Sequence, residues 1–340
     1  MAKSVKLADI AEKLGVSNVT VSKALSGKKG VSEEMRTRIV KYAEELGYKQ
    51  PSVARKEALS RKSYQIGVIV REGFLDKYES FYWQMYKHVC ACALENGSFA
   101  MLEVISNDSE ANLFLPEILK ENKIQGLIVI GEMNKGYLAA LREKCSVPIV
   151  YLDFTEVDQK IDSVMSDGYY GAYYLTNYPI SQGHLRIAYV GSVSATGSIM
   201  DRYLGYVKAL TEHGLEPKKE WQLEDRDKET GFIDENLIQL PKEMPDAFLC
   251  NCDLTAGRLI HKINENGFMV PEDVSVAGFD NCIYPGLSNV EITTYEVDRK
   301  AMAKQAVEVL LNKLEDSTAA SGTHIISGKL IIRDSVKRIG

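Results

Sequence analysis

Leu7-Ala8-Asp9-Ile10-Ala11-Glu12-Lys13-Leu14-Gly15-Val16-Ser17-Asn18-Val19-Thr20-Val21-Ser22-Lys23-Ala24-Leu25 decides the fold of the amino-terminal part of this chain. Leu7, Ile10, Ala11 and Leu14 recur at helical spacing and form one apolar stripe. Gly15 ends that helix, since glycine tolerates the positive φ that follows a helix C-terminus. Ser17 is placed to cap a second helix through its hydroxyl. In that helix Val21, Ala24 and Leu25 face inward, which leaves Asn18, Val19, Ser22 and Lys23 outward. Two short amphipathic helices about a glycine turn make a helix-turn-helix, and a second helix with a small and polar outer face is built to enter a DNA major groove. Val31-Ser32-Glu33-Glu34 reads as the cap of a third helix, Met35 to Leu46, with Ile39, Val40, Ala43 and Leu46 inward and Gly47 at its end.

Charge points the same way. Residues 1 to 62 carry 14 Lys and Arg against 7 Asp and Glu, a net of +7, while the remainder carries 27 against 40, a net of −13, which recovers the −6 of the whole. A basic head on an acidic body suits a head that neutralises phosphates. Lys28, Lys29, Arg36 and Arg38 taken singly also read as solvated surface cations.

A chain of 340 residues exceeds one compact core, so two or three domains are expected. With 45% hydrophobic and 26% charged residues the composition is that of a soluble globular protein. No signal pattern or long apolar run is present, and the expected location is cytoplasmic. Cys90, Cys92, Cys145, Cys250, Cys252 and Cys282 form no CxxC pair and read as reduced thiols in apolar surroundings.

After Tyr48 comes a basic linker, Gln50-Pro51-Ser52 followed by Val53 to Leu59, of one or two helical turns. Beyond it strands alternate with helices. Strands are expected at Ile66 to Val70, Phe99 to Ile105, Gly126 to Ile130 and Pro148 to Leu152. A second set is expected at Ser163 to Met165, Ile187 to Val190, Ala247 to Cys250 and Val274 to Ala277. Helices fall between them at Phe81 to Asn96, Leu113 to Asn122, Tyr169 to Gln182, Met200 to His213, Leu254 to Asn266 and Arg299 to Leu314. Continuous apolar strands between amphipathic helices predict an α/β core of two doubly wound lobes with parallel sheets, and a ligand cleft outside the strands' carboxyl ends.

These motifs resemble the LacI/GalR family of ligand-responsive transcriptional regulators over nearly the whole chain. They are Leu7-Ala8-Asp9-Ile10-Ala11 with Gly15-Val16-Ser17 and Thr20-Val21-Ser22, Val31-Ser32-Glu33-Glu34, Glu45-Leu46-Gly47-Tyr48, Ile66-Gly67-Val68-Ile69, Gly183-His184-Leu185-Arg186-Ile187-Ala188, Val270-Pro271-Glu272-Asp273-Val274-Ser275-Val276 and Gly278-Phe279-Asp280. The resemblance implies a three-helix head at residues 1–49 and a hinge at 50–62. It implies a two-lobed core like periplasmic binding proteins, one lobe from 63–162 and 292–322, the other from 163–291 and 323–340. It also implies a homodimer on a near-palindromic duplex DNA operator, no cofactor, no membrane partner, and a carbohydrate-like small-molecule effector, a sugar or sugar derivative, that changes DNA affinity. Some relatives answer instead to a phosphorylated carrier protein.

Carried over by position, Asn18 and Val19 face base edges, with Lys23 where the family often has Arg. Ser17, Thr20, Ser22 and Ser32 meet phosphates. Tyr48, Pro51 and Val53 fall in the hinge, Val53 counting among the DNA-binding positions. The minor-groove leucine of the family falls on Glu57 or Ala58, and Leu59 replaces it if the hinge helix shifts register. For the effector the resemblance implies Tyr82 beside Phe81, then Asp153, Arg202 of an Arg-x-x-Gly pattern, Asp253 and Asp280. Asp253 reads equally as a helix cap, and Phe81 reads more readily as core. Cys252 stands where the family commonly has Asn. Arg226 falls near a position often held by an aromatic ring, and an Arg there suits an anionic effector unless it is simply solvent-exposed.

No nucleophile elbow, P-loop, Gly-rich dinucleotide turn or metal-type His cluster is present, so no catalytic residue is assigned and an enzyme is not expected. Asp225 and Asp227 read as solvated carboxylates rather than an acid–base pair.

Overall fold

The computed structural model describes residues 7–46 apart from 27 and 29, and residues 62–339 apart from 76–79, 158–159, 228–230 and 283. The chain divides after Ser63 into two units. The linker 50–61, with Pro51, Val53, Glu57, Ala58 and Leu59, lies outside the described residues, as do Gly47 and Tyr48.

The first unit contains α1 (Leu7–Leu14), α2 (Asn18–Leu25) and α3 (Glu33–Glu45). Gly15 takes φ 65° behind α1. The Ser17 hydroxyl accepts the Thr20 amide at 3.1 Å and caps α2. Ile10, Ala11, Val21, Ala24, Ile39 and Ala43 form the buried core, the larger of them worth roughly 1.5–3 kcal/mol of transfer free energy each. Helix α3 starts two residues ahead of the expected Met35, at Glu33, where the Ser32 hydroxyl accepts the Met35 amide at 3.4 Å. Leu46, expected inward, is exposed and Val40 is half-buried, because the face of α3 that meets the core is the one carrying Met35, Ile39, Tyr42 and Ala43.

The second unit runs, in chain order, through β1 (Gln65–Arg71), α4 (Phe81–Glu95), β2 (Phe99–Ile105), α5 (Asn107–Ala111), β3 (Gly126–Ile130), α6 (Lys135–Lys144), β4 (Ile149–Leu152), β5 (Asp162–Ser166), α7 (Gly168–Ser181), β6 (Ile187–Val190) and α8 (Gly197–Glu212). It continues with β7 (Gln222–Leu223), β8 (Ala247–Cys250), α9 (Asp253–Glu265), β9 (Ser275–Asp280), β10 (Thr293–Glu296), α10 (Arg299–Glu315), β11 (Thr323–Ile326) and β12 (Lys329–Ile331). Two six-stranded sheets result, ordered β11-β5-β4-β3-β1-β2 and β12-β10-β9-β8-β6-β7. All pairings are parallel except β10 with β12. The central strands are apolar throughout because helices cover both faces; Gly126–Ile130 and Ile187–Val190 are buried at every residue.

The sheets correct the expected lobe membership. The strand at 163–165, placed with the second set, lies as β5 beside β4 in the first sheet, and β11, from the 323–340 segment, pairs with β5 there. Conversely β10, from the 292–322 segment, pairs with β9 in the second sheet. The chain therefore passes between lobes at residues 166–168, 296–299 and 326–329. The expected helix from Leu113 to Asn122 is only a 3-10 turn at Glu117–Asn122. Pro116 disfavours helical backbone at Leu115 and shortens the element. No helix among the described residues is long and apolar enough to cross a membrane.

Helices α7 and α8 touch at Gly205, where a Cβ would sit 2.1 Å from the Tyr169 carbonyl oxygen. The glycine of the Arg-x-x-Gly pattern is thus a packing residue. It lets α8 lie close on α7 and so fixes where Arg202, one turn earlier, projects.

Candidate functional site

In the head, Asn18, Val19, Ser22 and Lys23 lie on the exposed face of α2, and Ser17 is exposed at its start. Thr20 is half-buried, its hydroxyl 2.9 Å from that of Ser17. Ser32 is exposed at the start of α3. Seven of the nine expected DNA-facing positions are therefore placed along α2 and the α3 start, while Val53 and Leu59 fall outside the described residues. A helix presenting an amide, a methyl-bearing side chain and a cation can read base edges: the amide bonds adenine, the apolar group meets a thymine methyl, and Lys reaches guanine acceptors.

In the core, the carboxyl ends of β1, β4, β6, β8 and β9 open on a cavity of about 220 Å³ lined by Phe74, Phe81, Tyr82, Asp153, Arg202, Arg226, Asn251, Cys252, Arg258 and Asp280, among others. Asp153 follows β4 at φ 73° and Asp280 ends β9 at φ 97°. Few non-glycine residues adopt that backbone, and here it turns both carboxylates off their strands. The Tyr82 hydroxyl donates to Asp153 Oδ2 at 3.0 Å, and Ser166 Oγ to Asp153 Oδ1 at 3.4 Å. Arg202, entering from α8, pairs with Asp280 at 3.1 Å, donates to the Asn251 carbonyl and lies 4.1 Å over the Phe279 ring. Arg202 Nε is buried and has no hydrogen-bond partner among the described residues.

Burial governs the electrostatics. It raises the Asp153 carboxyl to about 6 in spite of Arg202 nearby. It also carries the Tyr82 phenol well above its ordinary value, with the Asp153 charge adding to the effect. Burial works against the Arg202 charge, yet Asp280 and Asp153 hold that guanidinium above its usual pKa.

Two expectations are corrected. Asp253 does not line this cavity and is not the cap of its helix; Cys252 holds the N-cap position, and Asp253 Oδ2 accepts the Cys282 amide at 2.8 Å. Burial, reinforced by Asp280, pushes the Asp253 carboxyl well up. Asp225, read as solvated, is fully buried. It accepts from the Ser192 amide at 2.8 Å, Asn251 Nδ2 at 2.6 Å and Thr255 Oγ1 at 2.7 Å, and lies 3.4 Å from Arg226 Nε. Arg226 does reach the cavity and is mostly buried, with Nη2 donating to Asn251 Oδ1 at 2.9 Å.

Asn251 and Arg258 went unmarked in the sequence, and Asp225 was marked only as solvated. The signal available for Asp225 was its place just past the apolar end of β7, the position Asp153 and Asp280 hold on their strands. Phe81 is buried as expected of core and also lines the cavity, edge-on to Tyr82 at 5.2 Å. Among the described residues no cluster of metal-ligating side chains occurs, and all six cysteines are free, four of them buried. His184 is buried against the Lys337 carbonyl at 2.9 Å and Ser275 Oγ at 3.1 Å, a structural role.

The family model for bacterial regulatory proteins of the lacI family matches residues 6–51, and that for a periplasmic binding protein-like domain matches residues 176–336. The HTH-type transcriptional repressor PurR of Aliivibrio salmonicida is 26% identical over 335 residues, covering 97% of this chain and 98% of its own. That of Pasteurella multocida is 26% identical over 331 residues, with the same coverage. Among solved structures, a transcriptional regulator CelR-cellobiose complex superposes with a TM-score of 0.68 at 20% identity, covering 97% of this chain and 99% of its own. The lac repressor dimer bound to operator and the anti-inducer ONPF gives 0.64 at 23%, covering 98% and 100%.

Proposed function

This chain belongs to the lacI family of bacterial regulatory proteins, and from that premise we propose that it is a dimeric, operator-binding transcriptional repressor whose DNA affinity answers to a neutral, hydroxyl-rich small molecule held between the lobes of its core. The family is one of regulators, not of enzymes. Operator DNA meets the outer face of α2: Asn18, Val19 and Lys23 read bases, and Ser17, Thr20, Ser22 and Ser32 meet phosphates. Among the undescribed residues, Val53 and Leu59 are the hinge positions assigned to DNA.

The observation that carries the effector reading is the pairing inside the cavity. The guanidiniums of Arg202 and Arg226 pair with Asp280 and with Asp225, the latter behind the lining, while Asp153 adds a third carboxyl to the cavity and Arg258 donates to the Ile233 carbonyl. Arg202 and Arg226 thus keep N–H donors without offering a net positive site, and Asp153 and Asp280 offer acceptors beside Phe74, Phe81 and Tyr82. Paired charges at fixed spacing suit hydroxyl groups, and aromatic faces cover the apolar side of a sugar ring. Arg226, which alone would favour an anion, is already neutralised by Asp225.

Thermal unfolding of the full chain with sugars, sugar acids and sugar phosphates tests this reading. A neutral sugar is expected to stabilise the core in a concentration-dependent way, by about 2.7 kcal/mol at 100 times its Kd. Stabilisation by anionic sugars alone would overturn the neutral assignment, and no stabilisation by any would remove the cleft effector. For DNA, Lys23→Arg is expected to sharpen base preference at one position of each half-site by about 1–3 kcal/mol, since Arg grips guanine with a rigid fork that Lys lacks. Selection of duplexes from a randomised pool checks this; unchanged preferences would take Lys23 off the base edges.

A further inference from the structure

We propose that Arg36 is a positioning residue for operator recognition: from α3 its guanidinium clamps the carbonyl end of α2 and thereby fixes the pose in which Lys23 meets a base. The inference rests on α2 being the helix that reads DNA.

In the sequence Arg36 looks like one more cation on a basic head. In the structure its donors are committed inside the protein. Nη1 donates to the Ala24 carbonyl at 2.8 Å and approaches that of Lys23 at 3.5 Å. Nη2 donates to the Lys28 carbonyl at 2.8 Å. The last carbonyls of a helix have no partner within it and need donors from outside. At α2 the Ser26 amide and hydroxyl both donate to the Ser22 carbonyl, at 3.0 and 2.6 Å, the Lys28 amide donates to the Lys23 carbonyl at 3.0 Å, and Arg36 adds the side-chain donor at the Ala24 carbonyl. The same fork ties down the chain at Lys28, beyond the helix end.

This clamp matters because α2 has little else to hold it. It is eight residues long, with only Val21 and Ala24 fully buried, and a helix of two turns is marginal without tertiary support. Apolar packing of Val21 and Ala24 within the shared core fixes one side of α2, and the Arg36 fork fixes its C-terminal end. Lys23 lies in that last turn, with its own carbonyl within the reach of Arg36. The ion pair from Arg36 Nε to Glu33 at 3.7 Å is a minor contribution, since Glu33 is 91% exposed. A planar guanidinium can serve two carbonyls at a set angle, whereas an ammonium is a point donor. A guanidinium spent in this way is also withdrawn from the phosphates that the surface charge of the head would otherwise suggest.

The test uses the full-length chain, the duplex that it enriches from a randomised library, and a scrambled duplex of the same length. Arg36→Lys keeps the charge and loses the fork. It is expected to bind the scrambled duplex within about twofold of wild type, with the same salt dependence, while losing about tenfold or more on the enriched duplex, the cost of roughly one misread base pair. Combined with Lys23→Ala, it should cost little beyond Lys23→Ala alone, because the two residues act through one contact. Unchanged affinity of Arg36→Lys for the enriched duplex would overturn the proposal. So would an equal loss on both duplexes. If Arg36→Ala lowers the salt slope by about one while Arg36→Lys behaves as wild type, Arg36 is a phosphate contact instead. Circular dichroism melting of each variant shows whether the helices are intact at the assay temperature; losses that follow the unfolded fraction on both duplexes also overturn it. If wild type enriches no duplex, the premise that α2 reads DNA fails, and the proposal with it.

Discussion

Asp225→Ala is expected to destabilise the two-lobed core by about 3–5 kcal/mol, the cost of leaving a buried partner charge uncompensated. Asp225 is wholly inaccessible to solvent and joins three separate segments: Ser192 behind β6, Asn251 behind β8, and Thr255 in the first turn of α9. Its loss strands the Arg226 guanidinium, which burial already disfavours and which Asp225 keeps charged. It also leaves the Ser192 N–H without an acceptor, worth about 1–3 kcal/mol when buried, and takes one of the two acceptors of the Asn251 amide, which keeps the Val190 carbonyl at 3.0 Å. The measurement is direct because the chain has two tryptophans, Trp83 and Trp221, and both lie in the core unit. Urea unfolding followed by their fluorescence therefore reports the core without the head. Asp225→Asn, which keeps the shape and one acceptor, should cost less than Asp225→Ala. A midpoint within error of wild type for both would mean that the Ser192–Asn251–Arg226 network does not depend on its acid. Effector affinity should fall in parallel, since Arg226 and Asn251 line the cavity through this network.

The contrast between head and core shows what a sequence can disclose by itself. Gly15, Ser17 and the Leu7-Ile10-Ala11-Leu14 stripe act within one or two turns of chain, so the turn, the cap and the buried face could be read directly. Strands such as Gly126–Ile130 were equally plain, because burial on both faces writes an uninterrupted apolar run. Sheet membership was not plain. Whether Asp162–Ser166, Thr293–Glu296 and Thr323–Ile326 belong to one lobe or the other depends on three crossings of the chain, and each strand would look the same in either sheet. The short strands β10 and β12 carry Thr, Glu and Lys at four of their seven positions and announce nothing. The same holds within the site. Asp153 and Asp280 could be singled out because each stands at the carboxyl end of an apolar strand, and Arg202 because it opens an Arg-x-x-Gly pattern. Asp225 stayed hidden because its burial comes from residues 26 to 33 positions away that only the fold brings together.

Arg202→Met should cost the core about 3–5 kcal/mol near pH 7, and the gap should close as the pH falls. Arg202 is buried, is paired with Asp280 at 3.1 Å, and is the chief influence holding Asp153 down against the effect of burial. With the guanidinium gone, Asp280 is left as a buried unpaired carboxylate and the Asp153 carboxyl rises further above its value of about 6. A carboxyl whose pKa is raised on folding favours the folded state when protonated, and that contribution disappears as pH climbs through the folded value. Below about pH 4, near the ordinary Asp value, the Asp153 carboxyl is protonated whether or not Arg202 is present, so the part of the deficit that comes from it should vanish and the two proteins should draw together. Between pH 4 and 7 the variant should lose stability steadily against wild type, by about 1.4 kcal/mol for each unit by which a carboxyl has been displaced. Tryptophan-monitored urea unfolding at pH 4, 5.5 and 7 measures this. A deficit that stays constant across the range would mean that Arg202 acts by packing on the Phe279 ring, 4.1 Å away, and not by neutralising the acids beside it. A convergent deficit, together with lost stabilisation by the cleft ligand, would place Arg202 at the junction of the two functions of the core: holding paired acids in a dry cavity, and presenting a guanidinium N–H to whatever enters it.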